Sequence, residues 1–567
     1  MVKPSSLFPR AMLRAALKSV KRSQHRNFDS QLPQASLVQR RWLQRRIHQC
    51  ESTTFGRDHG FKDIRNLAEF RRRVPVAGYD YIAPYINAVA SGDRWALIPD
   101  DDELVQFTIT TGSTGVPKLN PVTASWIREY RRGWDIWGTR LFTDHPQHIG
   151  SRILQMAGTW DMGRTAAGHQ ISMVSAVLTR MQSALMKPFY AIPEVLNSIS
   201  DPVVRHYAAL RIGILDDIGW IMLMNPGTLI RLAEIGDQHK ELLIRDVYDG
   251  TLSAHFEISD SLRSSLAAVI PPPDPKGAAK LEAICNRTGR LLPRDYWNEP
   301  VIGCWLGGTA GFPSGYLHEY FGASPLRDMG LVSSEGRHTI PLKDDHAYGV
   351  LSFGAGFYEF IPVADANGHD PVALEGHELE VDHDYRILIT NSAGYFRFDI
   401  GDIVRCRGFS GQSPELEFIQ KSNRIGDLEG EKLTEHQVVE AAHIAAGKTG
   451  VTLGFITAVP RRLRHEQPRY DFLVESTEIE SNLQAEQFLR HLDAELGNLN
   501  FLWRARRREG VLQSPHLTRL APGEWDRCIQ EEVKRRGTGD YQYKHPGLVM
   551  DESWLEQFRV QDTITFH

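Results

Sequence analysis

The sequence predicts a large mixed α/β domain followed by a smaller α+β domain. Three observations predict it. Apolar runs with β-branched residues recur at 105–110, 349–354, 385–390, 403–406 and 451–458, the pattern of strands. Stretches 36–50 and 226–246 carry apolar residues at the 3.6-residue spacing of helices. After Gly408 the turn Ser410-Gly411-Gln412-Ser413-Pro414 is followed by a charged stretch. This sets a domain boundary near 410–425, with alternating strand and helix patterns beyond it.

The chain of 567 residues is too long for one core. Its expected division is a large domain over 1–415, with 1–40 as an N-terminal helical extension, and a small lid over 416–567. The first 28 residues hold seven Lys or Arg and no acidic residue, and Leu13, Ala16, Leu17 and Val20 fall at helical spacing. They read as a basic helix on the protein's own surface. The segment Pro271-Pro272-Pro273-Asp274-Pro275-Lys276 reads as a rigid surface turn.

Net charge is −5, so nothing suggests a protein-wide attraction to nucleic acid or anionic lipid. No apolar run approaches the roughly 20 residues of a membrane span. Cys50, Cys285, Cys304, Cys406 and Cys528 form no CxxC pair and read as reduced thiols, which points to the cytoplasm.

The segment that carries most chemistry is Thr110-Thr111-Gly112-Ser113-Thr114-Gly115-Val116-Pro117-Lys118, placed after the strand-like Leu104–Ile109. Its glycines let main chain approach a ligand closely. Successive N–H groups can cradle an anion, hydroxyls add donors, and Lys118 adds a point charge for a polyphosphate. It lacks the spacing of a Walker loop.

This segment resembles the phosphate loop of the adenylate-forming superfamily. Trp305-Leu306-Gly307-Gly308-Thr309 is similar to the superfamily's adenine-contacting turn. Leu331-Val332-Ser333-Ser334-Glu335-Gly336 is similar to its second motif, and Gly394-Tyr395-Phe396-Arg397-Phe398-Asp399-Ile400-Gly401-Asp402 to its third. Within the superfamily the chain resembles the auxin-responsive acyl acid amido synthetases, the Gretchen Hagen family, from about residue 45 onward. The carrying segments are 70–76 with Tyr79, Tyr85-Ile86 before Gly92-Asp93, and Phe357–Pro362. Further along they are Lys421-Ser422-Asn423 with Glu431, Lys432 and Glu435, and Gln542-Tyr543-Lys544 with Pro546. Leu331 stands where the family has an aromatic residue, Asp399 where it has arginine, and Phe396 and Phe398 where it has tyrosines. The phosphate loop is one residue shorter than in the plant enzymes.

The resemblance implies an ATP- and Mg²⁺-dependent ligase, with its active site between the two domains and a mobile smaller domain. It would activate a carboxylic acid as an acyl-adenylate and pass it to an amine or amino acid. Coenzyme A as acceptor, or a scaffold without activity, are the other classes. The resemblance implies that Thr110, Thr111, Gly112, Ser113, Thr114 and Gly115 hold phosphates. Gly307, Gly308 and Thr309 would meet adenine, and Ser333 and Ser334 phosphate. Glu335 would hold the metal, Asp402 the ribose, and Lys421 would line the nucleotide site. Lys118 and Lys544 would be catalytic, Lys544 bridging the substrate carboxylate and the α-phosphate. No carrier module, nucleic acid or membrane is implied as a partner.

Several segments read as structural. Gly447-Lys448-Thr449 looks like a Walker fragment but reads as a helix end capped at Gly447. Asp260-Ser261-Leu262 lacks the glycines of a carrier attachment site. The arginine clusters at 461–464 and 504–508 read as solvated faces or internal pairs. Glu359 reads as a carboxylate with a structural partner, and His169 as a core or surface histidine.

Overall fold

The computed structural model describes residues 26–110, 118–156, 160–180, 186–199, 201–365, 371–422, 424–462, 467–536 and 543–566. The basic stretch 1–25 and most of the phosphate loop, 111–117, lie outside the described residues. The chain falls into two compact units. One comprises residues 1–224, 229–305 and 318–418; the other comprises 225–228, 306–317 and 419–567.

The first unit is built on three sheets. Strands β1 (Leu104–Thr110), β2 (Lys118–Thr123) and β4 (Ile171–Ser172) form one, in the order β2-β1-β4. Strands β3 (Arg152–Gln155), β5 (Ile218–Met222), β6 (Val301–Cys304) and β7 (Leu326–Asp328) form a four-stranded sheet that is parallel throughout. Their residues are mostly buried on both faces, which is why these short strands read as continuous apolar runs.

The third sheet has seven strands. They are β8 (Thr339–Ile340), β9 (Tyr348–Leu351), β10 (Phe357–Pro362), β11 (Leu374–Glu375), β12 (Asp384–Thr390), β13 (Phe398–Ser410) and β14 (Ser413–Lys421). They lie in the order β11-β10-β12-β13-β14-β9-β8. The helices Ala35–Gln49, Leu67–Arg73 and Tyr79–Ala90 share one apolar core with this sheet, through residues such as Ile47, Phe70, Ile86, Phe357, Ile387 and Val404.

Glu359 lies in the middle of β10 and is 1% exposed. Arg71 Nε donates to one carboxylate oxygen at 2.8 Å and Arg397 Nε to the other at 2.9 Å. Arg397 also donates to the carbonyls of Arg71 and Val74, both at 2.9 Å, and holds a left-handed backbone (φ 49°). The carboxylate is thus the buried counter-charge that fastens helix Leu67–Arg73 and the start of β13 to the sheet.

The second unit holds a four-stranded sheet in the order β17-β18-β19-β20: Thr457–Arg461, Arg469–Glu475, His516–Leu520 and Val560–Ile564. A two-stranded ribbon, β15 (Ile425–Gly426) with β16 (Leu433–Thr434), precedes it. Helices Glu435–Thr449 and Asn482–Leu499 bury Val438, Ala442, Phe488 and Leu492 in the core of this unit.

Several local expectations are corrected. The helix ending at Thr449 is capped by Gly450 in the left-handed region, while Gly447 lies inside it. Lys448, in the fragment that looked like a Walker loop, pairs with Glu495 at 2.5 Å. The stretch 226–246 forms two helices, Pro226–Gln238 and Lys240–Asp249, because His239 between them leaves the helical region (φ −110°, ψ 25°). The apolar run 451–458 reaches a strand only at Thr457; Val451, Leu453 and Ile456 serve the core from irregular backbone. Pro275 opens the helix Pro275–Thr288, where a missing N–H costs nothing, and Asp274 caps it through Gly277 N at 2.8 Å.

Other readings hold. Asp260–Leu262 is the first turn of a helix capped by Ser259. Arg461 pairs with Asp471 and Arg507 with Asp493. His169 sets its ring against Phe107, 6.0 Å between centroids. The five cysteines are free thiols. No helix among the described residues is long and apolar enough to cross a membrane.

Glu359→Ala should leave two cationic side chains facing a buried vacancy. The large unit should lose about 3–5 kcal/mol, the range for breaking a buried ion pair from one side, read as the shift of its denaturant-unfolding midpoint. A loss under about 1 kcal/mol would show that the carboxylate is dispensable.

Candidate active site

In the first unit β1 and β2 pair antiparallel, with Thr110 directly opposite Lys118. The phosphate-loop residues Thr111, Gly112, Ser113, Thr114 and Gly115 span this hairpin and lie outside the described residues, as does the side chain of Thr110. Lys118 places its ammonium 5.1 Å from the centroid of the Tyr79 ring, a cation–π contact. Among the described residues no carboxylate pairs with Lys118. Tyr79 is held in place by a hydrogen bond from its hydroxyl to the Leu119 carbonyl at 3.0 Å.

Two residues beyond Lys118, Asn120 Nδ2 donates to the carbonyl of Ser334 and to Thr108 Oγ1. This ties the hairpin to the second motif. There Ser333 to Gly336 make a tight turn, with Ser333 N bonded to Gly336 O at 2.9 Å. The Ser333 hydroxyl is engaged inside the turn: it meets His338 Nε2 at 2.9 Å and accepts from Glu335 N at 3.2 Å. Leu331, where an aromatic residue was expected, packs at the edge of the core.

The Glu335 carbonyl accepts two hydrogen bonds, from Trp126 Nε1 and from Asn391 Nδ2, both 2.7 Å. Trp126 lies in the first turn of the helix Ala124–Asp144, and Asn391 follows β12. Thr123 joins these elements: its hydroxyl caps that helix by accepting from Trp126 N, and donates to Ser392 O at 3.1 Å. The main chain of Glu335 is therefore fixed from two sides. Its carboxylate is half-buried and, among the described residues, receives no hydrogen bond and forms no ion pair. Burial raises the hydroxyl pKa values of Tyr79, Tyr130 and Tyr395, and the Glu335 charge adds to each shift. A carboxylate on a fixed main chain, without a partner among the described residues, fits the hard oxygen donor that Mg²⁺ takes.

Asp402 lies on β13 and is 3% exposed. Its neighbour Asp399 accepts from Gly401 N at 2.8 Å and pairs with Arg386.

In the second unit Gly307 leads into a short turn, Gly308–Ala310, with Gly308 in the left-handed region (φ 59°). This turn packs beside the segment 543–547: a Cβ added to Gly547 would lie 3.6 Å from Thr309 Cγ2. Lys544 is exposed, and its flanks are clamped. The Tyr543 carbonyl accepts from Asn225 Nδ2 at 2.7 Å. His545 stacks on Phe455 at 4.3 Å and meets Thr457 Oγ1 at 2.8 Å. Gly547 N donates to Glu435 Oε1 at 2.7 Å. Burial, reinforced by the Arg424 charge, pushes the His545 pKa down to about 3, so the ring is neutral at physiological pH. Lys421 ends β14, half-buried.

The structure thus brings Lys118, Ser334 and Glu335 together in one unit, and Gly307, Gly308, Thr309 and Lys544 in the other. Sequence reasoning missed Tyr79 as a partner of Lys118, and Asn120, Trp126 and Asn391 as the residues that hold the second motif. Only the place of Asn120, two residues after Lys118, could have flagged any of them.

The GH3 family N-terminal domain matches residues 24–326, the central domain 349–421 and the C-terminal domain 436–553. The chain is 25% identical over 392 residues to the indole-3-acetic acid-amido synthetase GH3.15 of Arabidopsis thaliana, covering 66% of each chain. It is 23% identical over 428 residues to the jasmonoyl–L-amino acid synthetase JAR4 of Nicotiana attenuata, covering 73% of this chain and 74% of that one. The solved GH3.15 acyl acid amido synthetase superposes with a TM-score of 0.81 at 19% identity, over 95% of this chain and 96% of that one, and so shares its fold. The chain belongs to the GH3 family.

Proposed function

We propose that the protein is an ATP- and Mg²⁺-dependent acyl acid amido synthetase. The observation that carries this reading is the fixed Ser334–Glu335 turn tied by Asn120 to the hairpin of Lys118, in a chain of the GH3 family. Relatives named as indole-3-acetic acid-amido and jasmonoyl–L-amino acid synthetases support an acid and an amino acid or other amine as the joined substrates.

In the first half-reaction a carboxylate oxygen of the acid attacks the α-phosphorus of ATP, and the bond to the β-phosphate breaks, releasing pyrophosphate. Lys118 and the main-chain N–H groups of the phosphate loop stabilise the charge that builds on the phosphate oxygens. Glu335 would hold Mg²⁺, which would further neutralise the phosphates. Asp402 orients the ribose, and Gly307, Gly308 and Thr309 the adenine. In the second half-reaction the amine nitrogen attacks the acyl carbon. The carbon–oxygen bond to AMP breaks, AMP leaves with that oxygen, and the surplus amine proton passes to solvent. Free thiols at all five cysteines, four of them buried, support a reducing compartment and hence the cytoplasm.

Glu335→Ala should fold normally, because the hydrogen bonds that fix the turn use its main-chain carbonyl. Acid-dependent ATP–pyrophosphate exchange should fall about 10²–10³-fold, as when one preorganised charge contact is removed. Full exchange in this variant would remove Glu335 from the metal site.

The product should be an amide. Mass spectrometry of reactions supplied with amino acids and coenzyme A together should find acid–amine conjugates; acyl-CoA with no amine accepted would establish a coenzyme A ligase instead.

Lys544→Ala should separate the two half-reactions. The lysine is exposed while its neighbours are clamped, so its loss should leave the segment in place. Its compact ammonium suits the charge that builds at phosphorus. Pyrophosphate exchange should drop about 10²-fold, and transfer from preformed acyl-adenylate far less. Equal losses would assign Lys544 to the fold, and no loss in either assay would exclude it from catalysis.

A further inference from the structure

Asn391, one of the two donors to the Glu335 carbonyl, is followed by Ser392, and Ser392 is held at both of its polar ends. Its carbonyl accepts from Arg46 Nη2 at 3.0 Å and from Thr123 Oγ1 at 3.1 Å. Its hydroxyl donates to Glu129 Oε1 at 2.9 Å. Ser392 and Arg46 are both buried. Ala393 N donates to Asn391 Oδ1 at 2.9 Å, which leaves Asn391 Nδ2 for the Glu335 carbonyl.

Glu129 lies on the helix Ala124–Asp144, three residues beyond Trp126, the other donor to that carbonyl. Residues at this separation are neighbours on one face of a helix. Glu129 Oε1 also accepts from Trp42 Nε1 at 2.9 Å, which joins the helix Ala35–Gln49 to the same oxygen. Burial pushes the Glu129 pKa up to about 7, although the hydrogen bonds from Trp42 and Ser392 and the charge of Arg46 pull it down. The second oxygen, Oε2, is shut off from solvent and has no hydrogen-bond partner among the described residues. Glu129 therefore acts through one acceptor oxygen, which remains an acceptor whether or not Oε2 carries a proton.

That oxygen connects the two donors to Glu335 O. Trp126 stands on the helix of Glu129, and Asn391 is bonded along the chain to the serine that Glu129 holds. Both donors must keep their separation to converge on one carbonyl. A displacement of Asn391 by about 1 Å would take its 2.7 Å bond out of hydrogen-bonding range.

We propose that Glu129 is a positioning residue for the second motif. By holding Ser392 to the helix of Trp126 it fixes the grip on the Glu335 main chain, and so the place from which the Glu335 carboxylate meets a divalent metal. This rests on the reading of Glu335 as the metal ligand.

The test compares Glu129→Ala, which removes the acceptor, with Glu129→Gln, which keeps one at the same place. Hydrogen exchange, read by mass spectrometry on the protein without ligands, should be about 10-fold faster in Glu129→Ala at 331–338 and 390–397, the scale of one lost hydrogen bond. Binding of Mn²⁺ in the presence of ATP, read by electron paramagnetic resonance, should weaken about 10-fold, as when a group that orients a metal ligand is removed. Glu129→Gln should restore both. Ser392→Ala removes only the hydroxyl and leaves the carbonyl to Arg46 and Thr123. It should shift both readouts in the same direction, and it serves if Glu129→Ala does not fold. Three results overturn the proposal: wild-type exchange at 331–338 in Glu129→Ala, faster exchange spread evenly over the first unit, or a Glu129→Gln variant as impaired as Glu129→Ala. Undiminished Mn²⁺ binding in Glu129→Ala, where Glu335→Ala loses it, overturns it too. If Glu335→Ala binds Mn²⁺ like the wild type, the metal reading fails, and the exchange pattern alone decides the role of Glu129.

Discussion

The first unit's candidate site depends on one carbonyl oxygen. Trp126 and Asn391 both donate to Glu335 O. One comes from the helix that follows the phosphate hairpin, the other from the end of a strand in the seven-stranded sheet. Because these contacts are made to main chain, the Glu335 carboxylate stays unengaged among the described residues. A carboxylate that had to position itself through its own oxygens would have fewer to offer a metal ion. Asn120 extends the same principle by gripping Ser334 through its carbonyl rather than its hydroxyl.

The second unit solves a similar problem for Lys544. An exposed lysine on a loose segment would sample many positions, at an entropic cost each time it met a charged ligand. Here the main chain on either side is fixed by Asn225 and Glu435, and the neighbouring His545 is buried and neutral against Phe455. Glu435 also pairs with Arg424 at the start of the unit, so the segment 543–547 is tied back to the chain just beyond β14. The main chain that carries the lysine is thereby set in place.

Much of the frame was legible in the sequence. Residues 104–110 and 384–390 advertise their strands because β-branched and aromatic residues fill them, and 35–49 its helix because apolar residues recur at helical spacing. The segment 110–118 stands out in the sequence because glycines, hydroxyls and a lysine fall in close order, though residues 111–117 lie outside the described residues. What was hidden is long-range pairing. Nothing near Asn391 in sequence announces that it will hold Glu335, 56 residues earlier. Residues 306–317 group with the C-terminal unit although the chain around them belongs to the first, a relation visible only in space. The end of the helix at Gly450 rather than Gly447 turned on which glycine adopts a positive φ, and two glycines three residues apart look alike in one dimension.

In the proposed mechanism the acid is activated through its own carboxylate oxygen at the α-phosphorus. Transfer of ¹⁸O tests it most directly. With acid labelled in both carboxylate oxygens, ATP and an amino acid acceptor, mass spectrometry of the products should find one ¹⁸O in AMP for each amide formed and none in pyrophosphate. Label in orthophosphate with ADP as the nucleotide product, or amide formed with unlabelled AMP, would contradict it.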